Sequence, residues 1–148
     1  MIERTAQRSV ELFESGLYCA ESVLLAIVES RGIQSEWIPK IATGFCGGVS
    51  DTCGQCGAVS GAIMGLGLFV GRNTPQETVD RAYTLTRELV TRFRNRFGST
   101  NCFELTGCDL GTAAGQEQFR TKNQFTECKR YAAEATRLAL TLLEEKRG

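Results

Sequence analysis

The chain of 148 residues has no histidine, no net charge and no apolar stretch long enough to cross a bilayer. Without histidine there can be no Ser-His-Asp triad, no mixed Cys/His zinc site and no histidine-ligated haem. The 17 acidic and 17 basic residues balance, so no broad field of one sign is available to hold nucleic acid or a membrane surface, and neither is expected as a partner. The cluster Arg92, Arg94, Arg96 is a local exception, read as cations at the end of a helix. The uncharged run from Cys53 to Gly71 is polar and glycine-bearing in its first half, which leaves too short an apolar part to span a membrane. The start, MIERTAQRSVE, shows no apolar signal core. Also missing are strand-like alternation, a repeat and a low-complexity linker. These absences predict one all-α domain over residues 1–148, large enough to bury a core without help from metal or disulfide. Any bound metal is then expected to serve function.

What is present is sulfur. Seven cysteines, an odd number in a chain with no visible secretory signal, speak against a disulfide framework and for the cytoplasm, where thiols stay reduced. Cys53 and Cys56 form a C-x-x-C, but Gly57 follows, which excludes c-type haem attachment. Redox chemistry, all-thiolate metal binding and simple burial remain as uses for the cysteines.

The stretch Phe45–Gly71 organises the chain. Gly57, Gly61 and Gly65 recur at intervals of four, which puts them along one side of a helix where another backbone can come close. The fold expected is a multi-helix bundle around this glycine-rich central helix. Before it, Ile2, Ala6, Val10 and Phe13 mark a first helix, Cys19 to about Gly32 a second, and Ser35 caps a predicted short third helix containing Trp37, Ile38 and Ile41. After it, Thr74-Pro75-Gln76-Glu77 combines a capping box with a first-position proline and predicts a helix start running to Gly98. Asn101–Glu104 repeats the capping signal and makes Cys102 the first residue of a short helix ending at Gly107. A part-loop, part-helical connection leads to a last helix bearing Phe125, Cys128, Ala132, Ala135 and Leu142, with Thr126 as its cap.

Cys19, Cys56 and Cys102 each fall at a predicted helix N-terminus, and Cys128 near one. Such positions lower a thiol pKa, to ~3.5–7.5 in strong cases. If the four sulfurs converge, several helix dipoles face one cluster of thiolates. The alternative is four separate core cysteines. The candidate reactive residues are Cys56 first, with Cys53, Cys19, Cys102 and Cys128 as partners. Cys46, Cys53 and Cys56, with a fourth cysteine, form a second candidate set able to ligate an iron-sulfur cluster or zinc.

These residues also resemble a known family. Cys19 in LYCAESV, Cys56 in CGAVSGAIMGLGL, Cys102 in FGSTNCFEL, the GCDL that follows and Cys128 in FTECKRYAAEA are similar to the four-cysteine pattern of the C_GCAxxG_C_C family, whose members are regarded as redox-active. The likeness runs from about Phe13 to the last helix. It implies a small bacterial or archaeal redox protein, with some relatives fused to or encoded beside oxidoreductases or transporters. The chain also looks similar to part of the split-Soret cytochromes, whose cysteines are associated with an iron-sulfur centre, although it lacks their haem motifs. Cys46, Cys53 and Tyr18 depart from the pattern.

The expected function is thiol-based or iron-sulfur electron transfer with a redox partner protein. Cys19, Cys56, Cys102 and Cys128 are the candidate cofactor ligands, and an iron-sulfur cluster is the one cofactor considered. The rival reading is a helical binding or homodimerisation module whose cysteines only pack, and the third is a structural zinc domain.

Overall fold

The computed structural model describes residues 1–146. Among them are eight helical elements and one 3-10 segment, and the only strand-like pairing is an isolated antiparallel bridge between Gln55 and Asn101. The all-α expectation therefore holds. The order is α1 (Ile2–Glu14), α2 (Cys19–Ser30), the 3-10 segment (Lys40–Phe45), α3 (Cys46–Asp51), α4 (Gly57–Val70), α5 (Asp80–Phe97), α6 (Cys102–Thr106), α7 (Ala113–Thr121) and α8 (Gln124–Glu145).

Helix α4 is the centre. It packs against α2, α5 and α8, while α1 lies across α2 and α8. The glycine side of α4 meets α2, as the spacing of four implies. A Cβ on Gly61 would come within 2.6 Å of the Ala20 carbonyl oxygen, and one on Gly65 within 2.7 Å of Ile27 Cδ1. The glycines cost up to ~1 kcal/mol each in helix propensity, and the close approach they permit buries Val59, Ala62 and Leu66 completely against Val23, Ile27, Leu89, Phe93 and Leu140. Exposed ion pairs such as Arg137–Glu3 and Arg92–Glu145 tie α8 to α1 and α5, each contributing ~0–1 kcal/mol.

Three local expectations are corrected. No α-helix forms at Ser35–Ile41. The Ser35 hydroxyl accepts from the Trp37 N–H at 3.1 Å, but the turn tightens into 3-10 geometry over Lys40–Phe45, because Pro39 has no N–H to continue an α ladder. Helix α5 starts at Asp80 rather than Pro75. The Thr74–Glu77 capping box does not form: these residues close a free-standing turn in which Glu77 N–H donates to the Thr74 carbonyl at 3.2 Å and the Glu77 carboxylate accepts from the Asn73 N–H at 3.2 Å, while the Thr78 hydroxyl accepts from Asp80 N–H at 3.1 Å where the helix begins. Helix α8 is entered through Asn123 in the left-handed conformation, not through Thr126.

The cysteine loop also has a geometry that the sequence does not announce. Gly47, Gly48, Val49, Ser50 and Asp51 all have φ between 54° and 66°, so α3 is a left-handed turn. Glycine takes this conformation freely, whereas Val49, Ser50 and Asp51 each carry ~1–2 kcal/mol of strain. The turn is held by Ser50 Oγ donating to the Gly44 carbonyl at 2.9 Å, Thr52 Oγ1 donating to the Val49 carbonyl at 2.7 Å, and Gly54 N–H donating to the Gly48 carbonyl at 2.8 Å.

Candidate functional site

Four helix starts converge. Cys19 is the first residue of α2, Cys56 caps α4, Cys102 is the first residue of α6, and Cys128 lies in the second turn of α8. Residues distant in sequence are pinned together by backbone: Cys56 N–H donates to the Thr100 carbonyl at 2.7 Å and Cys102 N–H to the Gly54 carbonyl at 2.9 Å, on either side of the Gln55–Asn101 bridge. The Asn101 side chain both caps α6, accepting from Glu104 N–H at 3.0 Å, and donates to the Cys53 carbonyl at 2.8 Å.

All four cysteines, together with Cys46, line one cavity of about 430 Å³. Its aromatic wall is built from Phe13, Tyr18, Phe119, Phe125 and Tyr131. Phe125 sits at its middle, edge-on to Phe119 at 4.7 Å and to Phe13 at 5.8 Å. Asp51 and Arg120 supply the charged side chains of the lining.

At Cys56, Cys102 and Cys128 the expectation of low thiol pKa values is overturned. Burial pushes Cys56 up to about 12, against which the Ala58 and Val59 N–H groups at the start of α4 pull only partly. Ionising such a thiol costs roughly 4 kcal/mol more than in water, and a helix end returns ~2 kcal/mol at best. Burial, then the neighbouring Cys53, Asp51 and Cys108, push Cys102 up to about 11. Burial, then Cys56 and Cys102, raise Cys128 as well. The mutual influence of Cys56, Cys102 and Cys128 expresses their proximity. Cys46 is raised first by the adjacent Cys19 and then by burial.

The other candidates separate. Cys53 stands outside the cavity lining, and its thiol is raised by partial burial and by the Asp109 carboxylate beside it. The C-x-x-C therefore points its two sulfurs into different surroundings. Cys46, Cys53 and Cys56 do not assemble as a ligand set: among the described residues no three cysteines, aspartates or glutamates come together as ligands for one metal ion. Cys108 is buried off the cavity, donating to the Thr106 carbonyl at 3.4 Å.

One residue beside the site, reaching it through Cys46, has no functional signal in the sequence. The buried Glu21 carboxylate accepts from Tyr18 N–H at 3.0 Å, from Thr43 Oγ1 at 2.8 Å and from Cys46 Sγ at 3.6 Å. The only signal was its position three residues after the residue that caps α2.

Fold and site together define an all-α protein that gathers cysteine sulfurs from separate helix starts into one cavity. The chain belongs to the C_GCAxxG_C_C family, described as "Putative redox-active protein (C_GCAxxG_C_C)", which matches residues 17–142. A relative from Archaeoglobus fulgidus, described as an uncharacterized protein, is 27% identical over 155 residues, covering 98% of this chain and 97% of its own. No solved structure matches the chain. Among the described residues no helix is long and apolar enough to cross a membrane.

Proposed function

We propose that this redox protein is an electron carrier whose cavity binds an iron-sulfur cluster through Cys19, Cys56, Cys102 and Cys128. The observation that carries the reading is that these four thiols, brought by four different helices, line the same cavity of about 430 Å³. Protein interiors are otherwise close-packed, and an all-cysteine donor set without histidine suits such a cluster. A lone metal ion suits the site less, since no three ligands meet at one point among the described residues.

Bound there, a cluster would supply one-electron redox chemistry. The chain's own part is to hold four thiolates, to aim the helix starts of α2, α4 and α6 at their charge, and to keep water away with Phe13, Phe119 and Phe125. The raised thiols fit this role, because coordination by a cation deprotonates a thiol that burial alone keeps neutral. Loading should accordingly release protons. A redox partner protein would exchange electrons with the carrier, and the reduced cytoplasm is the compartment that suits it.

The test is anaerobic purification, followed by reconstitution with iron and sulfide. Visible absorption with stoichiometric iron and sulfide is expected, abolished in Cys56→Ser, Cys102→Ser and Cys128→Ser and kept in Cys53→Ser and Cys108→Ser. A colourless protein that titrates reversibly by two electrons would replace the cluster with a dithiol. Thiols that react only on unfolding, with no iron bound, would leave the packing module.

A further inference from the structure

The fifth sulfur of the cavity, Cys46, lies outside the proposed ligand set. It is buried at the end of the 3-10 segment, its Sγ 3.6 Å from Glu21 Oε1 and 3.8 Å from the Ala42 carbonyl oxygen. Glu21 is itself fixed by Tyr18 N–H and Thr43 Oγ1, so the Cys46 side chain is held from two directions. Cys19 begins the same helix turn that carries Glu21, and it packs against the small core of Ala20, Leu24, Val28 and Ala42 that contains Cys46. From the other side Gly57 lies between Cys19 and the backbone leading into Cys46: a Cβ there would strike the Cys19 sulfur and come within 3.0 Å of the carbonyl oxygen of Phe45, the residue preceding Cys46. Cys53 stands outside this cavity, with the Asp109 carboxylate beside its thiol.

We propose that Cys19 and Cys46 form a reversible disulfide, a modification site that withdraws Cys19 from the cavity's ligand set when the protein meets a low-molecular-weight disulfide. Cys19, half-buried and facing the cavity, attacks one sulfur of the disulfide RSSR. A bond forms between Cys19 and that sulfur, the RS–SR bond breaks, and the departing thiol takes the Cys19 proton. Cys46 then attacks the Cys19 sulfur of the mixed disulfide, forming the Cys19–Cys46 bond and expelling the second RSH with the Cys46 proton. The two cysteines lose two electrons and two protons in total, and RSSR gains both. The bond itself does not depend on a cluster. Only its consequence, a cavity that can no longer be loaded, rests on the function proposed above.

The experiment treats the reduced, iron-free full chain with oxidised glutathione and maps disulfides by mass spectrometry of a digest made without reductant. The expected result is loss of two of the seven thiols, a cross-linked pair of peptides containing Cys19 and Cys46, and no retained glutathione. Cys46→Ala and Cys46→Ser should instead keep glutathione on Cys19, since the second attack is removed. A Cys53–Cys56 link, a link among Cys56, Cys102 and Cys128, or glutathione retained on Cys19 of the unaltered chain overturns the proposal, and the unaltered chain alone decides this if the variants fail to fold. Reconstitution of the oxidised chain with iron and sulfide should fall at least tenfold below that of the reduced chain and recover with dithiothreitol. If the cross-link forms but neither the oxidised nor the reduced chain takes iron, the disulfide stands and the cluster assignment falls.

Discussion

Gly57, the first residue of α4, lies so close to the Cys19 sulfur that a methyl group at position 57 would clash with it. The contact couples the central helix to the start of α2 and fixes where Cys19 enters the cavity. Gly57→Ala must move either the sulfur or the helix, at a cost of about 1–3 kcal/mol for an overpacked interior. Gly67 in the same helix has open space around its Cα, so Gly67→Ala should gain about 0.5–1 kcal/mol from helix propensity. Urea unfolding of the two variants checks the contrast; equal effects would mean that Gly57 does not bear on Cys19.

The left-handed turn makes a second prediction. Val49 is β-branched, 40% exposed and held at φ 62°, a conformation that its side chain opposes by about 1–2 kcal/mol. Val49→Gly removes that strain while losing ~0.5–1 kcal/mol through the freer unfolded chain. The net change expected is a small rise in melting temperature. Gly48→Ala should do the opposite, because its Cβ would come within 2.5 Å of Cys102 Cβ. A marked loss of stability in Val49→Gly would show that the chain does not turn left-handed here.

Much of this arrangement was legible in the sequence, for local reasons. The spacing of Gly57, Gly61 and Gly65 gives the face of α4 that meets α2, and the Asn101–Glu104 box places Cys102 at its helix start because both rest on contacts within a few residues. The Thr74–Glu77 signal shows the limit of that logic: the same pattern closes a turn, and α5 starts later at Asp80, whose N–H donates to the Thr78 hydroxyl. The left-handed turn escaped because Gly47-Gly48 signals freedom without direction, and Val49 argues against the conformation that its neighbours impose. Thiol acidity is not legible because the sequence shows which cysteines begin helices but not how deeply each sulfur is buried, and at Cys56 burial outweighs the helix end. The pairing of Cys46 with Cys19 depends on a 3-10 segment folding back over α2, which no short motif encodes.

Glu21 supplies a third prediction. Its buried carboxylate is the acceptor for a backbone N–H, a hydroxyl and a thiol. Glu21→Ala strands these donors and should destabilise the chain by about 2–4 kcal/mol, each stranded group costing ~1–3 kcal/mol when buried. Glu21→Gln keeps one acceptor oxygen and should lose about half as much. Beyond stability, Glu21→Ala should slow formation of the Cys19–Cys46 cross-link, since Cys46 loses one of its two fixed contacts. A cross-linking rate equal to that of the unaltered chain would mean that Glu21 has no part in placing Cys46.

The buried thiols also set an alkaline limit on the iron-free protein. In the unfolded chain Cys56 titrates near its ordinary 9.0, whereas in the folded chain it holds its proton up to about 12. Below pH 9 the thiol is protonated in both states and its contribution to stability is complete. Above pH 9 the unfolded state releases the proton and the folded state does not, so stability falls by up to about 1.4 kcal/mol per pH unit for this one group until the folded thiol also ionises near pH 12. Cys102, raised to about 11, follows the same direction over a narrower window. Denaturation midpoints measured at intervals from pH 8 to 10.5 should decline beyond pH 9, and Cys56→Ala should decline less steeply than the unaltered chain. Lysine and tyrosine ionisation is common to both proteins and cancels in that difference. Parallel curves would mean that Cys56 is open to water in solution, and the cavity would then lack the dry wall on which its proposed chemistry depends.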